Sequence, residues 1–147
     1  MVEITISYPG QLRCTATHCP SGSTLNTDAP KDNMGKGEAF SPTDLVATAL
    51  GTCMLTTMGI VAQRNNIPFE SASAKVVKEM VSAPTRRIGS LTVEISVPAP
   101  LSEDDERRLR GAALACPVHR SLHPDVQIPL TFYWGPQRRM DRVESAH

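Results

Sequence analysis

The sequence predicts an α+β fold with mixed or antiparallel sheets, its elements running βββ-α-ββ-α-β. Three observations carry that expectation. Period-two alternation of apolar and polar residues marks strands at residues 2–8 and 91–97. An apolar stretch over residues 45–62 is too long for a strand and begins just after a helix-start signal. The candidate strands come in hairpin groups and do not alternate singly with helices, which disfavours an all-parallel sheet. With 147 residues and 15.9 kDa, one domain is expected, spanning residues 1–135. Residues 136–147, with Arg138, Arg139 and Arg142, read as a polar disordered tail.

Taken in order, Val2, Ile4, Ile6 and Tyr8 share one side of a half-buried strand and Glu3, Thr5 and Ser7 the other, before the Pro9-Gly10 turn. Residues 11–18 and 23–27 add two more strands around the Pro20-Ser21-Gly22 turn, completing an antiparallel meander. Residues 28–40 hold Pro30, Gly35 and Gly37 among charged residues and read as a loop. Ser41-Pro42-Thr43-Asp44 then opens a helix: Ser41 caps, Pro42 loses no needed donor, and Asp44 suits the positive dipole end. Asn65-Asn66-Ile67-Pro68 stops it, for a length of about 36 Å. This helix is apolar on nearly every side, and Ala47, Ala49, Gly51 and Gly59 permit close approach, so a partner subunit is expected to complete its cover. Residues 72–81 and 87–97 form the next hairpin, Ser102 and its following acids start a second helix to about Ala115, and Cys116-Pro117 begins a short helical turn. Residues 126–133 supply the last strand.

Composition narrows the function classes. Fifteen Lys and Arg balance fifteen Asp and Glu, leaving no basic footprint for nucleic acid or an anionic membrane. The long helix carries Thr48, Thr52, Thr56 and Thr57 beside two glycines, too polar a mixture for lipid. The first eight residues show no basic, apolar and small-residue leader pattern, so a cytoplasmic location is expected. Aromatic residues make up only 4%, so the core must be built from Val, Ile, Leu, Ala and Met.

Four cysteines in a reducing compartment point to catalytic, metal-binding or inert thiols and away from a disulfide scaffold. Cys53 lies inside the long helix, where a thiol commonly packs as a small hydrophobe. Cys116 stands at a helix start, where backbone N–H groups and the dipole are expected to lower its pKa, with His119 and Arg120 in the next turn. Two such thiols suggest a dithiol cycling through a disulfide. Cys14, His18, Cys19, Cys116 and His119 can be drawn as zinc ligands, but their spacing matches no strong tetrahedral pattern, so neither metal nor cofactor is expected.

The run from Ser41 to Cys53, preceded by Thr27-Asp28-Ala29-Pro30 and Gly37-Glu38-Ala39-Phe40 and followed by Ala115-Cys116-Pro117-Val118-His119-Arg120, resembles the OsmC/Ohr family. The similarity reaches from the first hairpin to Tyr133. It implies an intertwined homodimer in which two long helices are wrapped by sheets, with sites at the subunit interface. It further implies a thiol peroxidase that reduces organic hydroperoxides, with Cys53 as peroxidatic thiolate, Cys116 as resolving thiol and an external dithiol, lipoyl-type in parts of the family, as reductant. The activating cation implied in the amino-terminal segment is Arg13. The best-defined hydroperoxide-resistance branch has a glutamate directly after the helix-opening proline. Thr43 stands there instead, so Asp44 and Glu38 are the carboxylates offered to Arg13, and the match is closer to the broad OsmC-like set. The competing reading keeps the scaffold as a small-molecule or protein-binding, redox-sensing dimer without peroxidase turnover.

Overall fold

The computed structural model describes residues 1–144, which gather in two compact units, Met1–Val46 and the residues from Ala47 onward. In the first unit, β1 (Ile4–Gly10), β2 (Arg13–His18) and β3 (Ser23–Asp28) form an antiparallel meander in the order β1-β2-β3. The register sets Arg13 directly opposite Asp28 at one end of the β2–β3 pair. The side chains of Val2, Ile4, Ile6 and Tyr8 are 57–69% exposed, so the chain leaves uncovered an apolar face that its alternation marks for burial.

The loop after β3 folds back on that strand. A 3-10 turn spans Lys31–Asn33, and the N–H groups of Gly35 and Gly37 bond to the carbonyls of Pro30 and Ala29 at 3.0 and 3.3 Å. A Cβ on Gly35 would stand 1.7 Å from the Ala29 carbonyl oxygen, so no other residue fits there. Phe40 O accepts from Asp28 N at 3.1 Å, which returns the chain to the end of β3 before the long helix begins.

That helix, α1, spans Pro42–Asn65. Its start is a reciprocal capping box: Ser41 Oγ accepts from Asp44 N at 3.2 Å, and Asp44 Oδ2 accepts from Ser41 N at 2.8 Å. The hydroxyls of Thr52 and Thr57 donate to carbonyls of the preceding turn, at 2.8 Å to Thr48 O and 3.0 Å to Cys53 O. This hides their polarity inside the helix. By length and composition α1 could cross a membrane, yet only 33% of its most apolar stretch is buried in this chain. The buried residues Ala47, Leu50, Gly51, Met54, Met58 and Ala62 make a single stripe.

In the second unit, β4 (Ser73–Val81), β5 (Arg87–Val97), β6 (Leu130–Trp134) and β7 (Arg139–Val143) form a sheet in the order β4-β5-β6-β7. β5 and β6 are parallel and the outer pairs antiparallel, so the sheet is mixed. The parallel step needs a crossover, supplied by α2 (Glu103–Leu114) and the short α3 (Pro117–Ser121). Ser102 caps α2 by accepting from Asp105 N at 3.2 Å. The α1 stripe approaches β4 closely: a Cβ on Gly51 would lie 2.9 Å from Val76 Cγ2. The core holds Leu91, Val93, Ile95 and Val97 of β5, Leu109 and Ala113 of α2, and a stacked aromatic pair, Phe132 and Trp134, with centroids 5.1 Å apart.

Two sequence expectations are corrected. The last strand was expected at residues 126–133, but regular pairing begins at Leu130 because Pro129 has no N–H for the ladder. Upstream of it, Gln127 still bridges to Ser90, with Leu91 N donating to Gln127 O at 2.8 Å. The expected disordered tail instead turns at Gly135, in the left-handed region with φ 70°, and returns as β7. Its charges are met by α2, through Arg110 to Asp141 at 2.6 Å and Arg139 to Glu106, while Arg138 lies over the Tyr133 ring. Residues 145–147 of that tail lie outside the described residues.

Candidate functional site

The second unit brings together two cysteines 63 positions apart in sequence. Cys53 sits half-buried on α1, one residue before the buried Met54. Cys116 follows α2 as the residue capping α3, with Pro117 at the first helical position, and is fully buried at 0% exposure. The two thiols lie beside each other, close enough that Cys53 acts on the titration of Cys116 by a side-chain hydrogen bond. Cys14 is half-buried on β2 and Cys19 is exposed after it, with its sulfur 3.7 Å from Glu3 Oε1. All four are free thiols.

The helix start does not lower the Cys116 pKa as its position suggested. Burial, and after it the neighbouring Cys53, push the thiol up to about 11, while the amides of His119 and Val118 pull the other way and lose. The reason is local: α3 is only five residues long, so its dipole is small, and its cap is sealed from water. Cys116 is therefore a protonated thiol at neutral pH.

In the first unit, Arg13 of β2 meets two carboxylates through one terminal nitrogen. Nη2 bonds Glu38 and lies 3.6 Å from Asp28 Oδ2. Arg13 is about one-third exposed at 37%, Glu38 is exposed, and Asp28 is buried at 1%. Asp28 also accepts from the Glu38 backbone N–H at 2.9 Å, so one buried carboxylate ties the strand, the arginine and the returning loop together. That amide, and then the Arg13 charge, hold the Asp28 carboxyl below its usual range, while Glu38 first and Asp28 less strongly raise the guanidinium. Of the two carboxylates offered to Arg13, Glu38 pairs with it; the Asp44 carboxylate closes the α1 cap on Ser41. Asp28 falls in the Thr27–Pro30 run that carries the resemblance, but the sequence reading gave it no role at the site. The signal was available in the meander register, which sets residue 28 opposite residue 13.

The second unit thus holds a half-exposed helix thiol against a buried second thiol, and the first unit holds a carboxylate-held arginine. The sequence profile of the OsmC-like proteins matches residues 35–131, and the chain belongs to that family. Among solved structures it resembles a Psychrobacter arcticus 273-4 protein with the provisional name of osmotic stress induced and detoxification response protein. That likeness has 41% identity and a TM-score of 0.84 over 90% of this chain and 96% of that one. It also shares the fold of an organic hydroperoxide resistance protein OsmC from Legionella pneumophila (17% identity, TM-score 0.73, covering 90% and 96%). A third likeness is to an organic hydroperoxide resistance protein from Elizabethkingia anophelis (16% identity, TM-score 0.69, covering 90% and 94%). No curated protein matches the chain.

The raised Cys116 thiol makes folding stability depend on alkaline pH. A thiol is neutral when protonated, so its contribution is whole below the ordinary value of 9.0 and is lost as pH rises towards about 11. The urea midpoint of the reduced protein should fall between those limits, and that of Cys116→Ser should fall less. Equal declines in the two proteins would show that burial of Cys116 does not resist its ionisation.

Proposed function

We propose that the protein is a cysteine-based peroxidase that reduces organic hydroperoxides to alcohols. The observation that carries this reading is the adjacency of Cys53 and Cys116 together with their unequal exposure. The half-exposed thiol is the one a substrate can reach. As a thiolate, Cys53 attacks the terminal oxygen of the hydroperoxide, the O–O bond breaks, and the alkoxide leaves as an alcohol once protonated. Cys53 is left as a sulfenic acid. The sulfur of Cys116 then displaces hydroxide from it, forming the Cys53–Cys116 disulfide and water. An external dithiol, lipoyl-type by the resemblance, regenerates both thiols by two exchange steps and leaves as its own disulfide.

The nucleophile and the departing alkoxide are both anionic, so the reaction needs a fixed cation. That role is assigned to Arg13, oriented by Glu38 and Asp28, while Asp44 serves through the cap of α1. Family membership supports a role in peroxide and redox stress, as do the hydroperoxide resistance named for the Legionella and Elizabethkingia proteins and the detoxification response named for the Psychrobacter protein. We assign the working form as a cytoplasmic homodimer. The support for the dimer is the exposed apolar face of β1 and, separately, the uncovered flanks of α1, surfaces of the kind a partner subunit covers. Light scattering at micromolar concentration should give about twice 15.9 kDa, whereas a folded monomer would contradict the assembly.

Division of labour between the thiols is tested with two variants. Cys53→Ser should abolish hydroperoxide turnover. Cys116→Ser should react once and stop, leaving on Cys53 a sulfenic acid that dimedone labels and mass spectrometry locates. Label on Cys116 of the Cys53→Ser protein would reverse the roles, and no reaction of the native protein with any hydroperoxide would favour the binding or sensing reading.

A further inference from the structure

The turn that leads into Arg13 is strained. Only two residues, Gln11 and Leu12, join β1 to β2, since Gly10 pairs directly with Arg13. Both lie in the left-handed region, at φ 56° and 59°. A two-residue hairpin turn needs that backbone to match the twist of its strands, and Asn-Gly is the sequence that adopts it readily. Glutamine and leucine adopt it at a cost, which persists only where surrounding contacts enforce the conformation. Two contacts enforce it here, both on Leu12. Its N–H donates to the Tyr8 hydroxyl at 3.3 Å, and its carbonyl accepts from Ala29 N at 3.1 Å. The second bond ties the turn to the residue after Asp28, in the loop that returns Glu38 to Arg13.

The consequence for Arg13 is geometric. Arg13 is the first residue of β2 and stands directly opposite Asp28, so the two side chains share one face of the sheet. A turn that relaxed out of the left-handed region would splay the strands, and a slip of one residue would carry Arg13 to the face away from Asp28. We propose that Tyr8 is a positioning residue for Arg13: its hydroxyl holds Leu12 in the left-handed conformation and thereby keeps the guanidinium on its carboxylates. The part this plays in turnover rests on the peroxidase reading, in which Arg13 is the fixed cation. Tyr8 acts through the turn alone. Its ring belongs to the exposed apolar face of β1, while its hydroxyl serves Leu12.

Tyr8→Phe removes the hydroxyl and keeps the ring, so the apolar face of β1 is unchanged. The Arg13 Nε atom is buried and has no hydrogen-bond partner among the described residues. Exchange of its proton with water, followed by heteronuclear NMR and assigned by its loss in Arg13→Lys, therefore reports whether the guanidinium keeps its seat. In Tyr8→Phe that exchange should be about fivefold faster, and the rate constant for oxidation of Cys53 by t-butyl hydroperoxide should fall about fivefold, the worth of one such hydrogen bond. Adding Leu12→Gly, which takes the left-handed backbone freely, should bring both to within about twofold of native. Native exchange or native oxidation in Tyr8→Phe, or a defect that Leu12→Gly does not repair, overturns the proposal. A native protein whose Cys53 is not oxidised at all overturns the peroxidase reading instead, and the exchange measurement still decides whether Tyr8 positions Arg13.

Discussion

Burial of Cys116 against the half-exposed Cys53 is the constraint on which the rest of the second unit depends. Residue 116 reaches residue 53 only because the chain leaves β5, runs through α2, and returns to a parallel neighbour, β6. A parallel step cannot be made with a tight turn, so it forces a crossover, and the end of that crossover is where the second thiol sits. On the other side, α1 must come close to β4, and Gly51 allows it, because a Cβ there would be 2.9 Å from Val76. The ion pairs from α2 to β7 fix the crossover from outside the core. The same enclosure that places Cys116 also raises its pKa, so position and acidity are set by one cause.

The first unit solves a different problem, the orientation of a cation. A lone strand arginine is ordinarily a solvated side chain. Here register sets Asp28 opposite it, and the loop returns Glu38 through a turn that only glycine fits at position 35. Asp28 is the pivot, since it takes both the guanidinium and the Glu38 amide while being 1% exposed. The apolar face of β1 and the uncovered flanks of α1 leave each unit an exposed apolar surface, which the proposed dimer would cover.

Elements whose signals are local were legible in the sequence. Both bounds of α1 follow from Ser41, Pro42 and the Asn66-Ile67-Pro68 stop, and β5 declares itself by alternation that becomes a row of fully buried side chains. Features that depend on partners far along the chain were not. β7 is too polar to look like a strand until Glu106 and Arg110 of α2 meet its charges. Asp28 is unremarkable until paired across the sheet with Arg13, and Cys116 looked activated because a helix start is visible in sequence whereas its enclosure is not. The two thiols themselves were legible, but their adjacency is a product of the crossover.

The most direct measurement is a thiol count during exposure of the reduced native protein to one equivalent of cumene hydroperoxide per chain, followed by peptide mapping. The account predicts rapid loss of two thiols per chain, appearance of a Cys53–Cys116 linked peptide, and retention of Cys14 and Cys19 as free thiols. Slow loss, loss of one thiol only, or a disulfide that joins any other pair would contradict it.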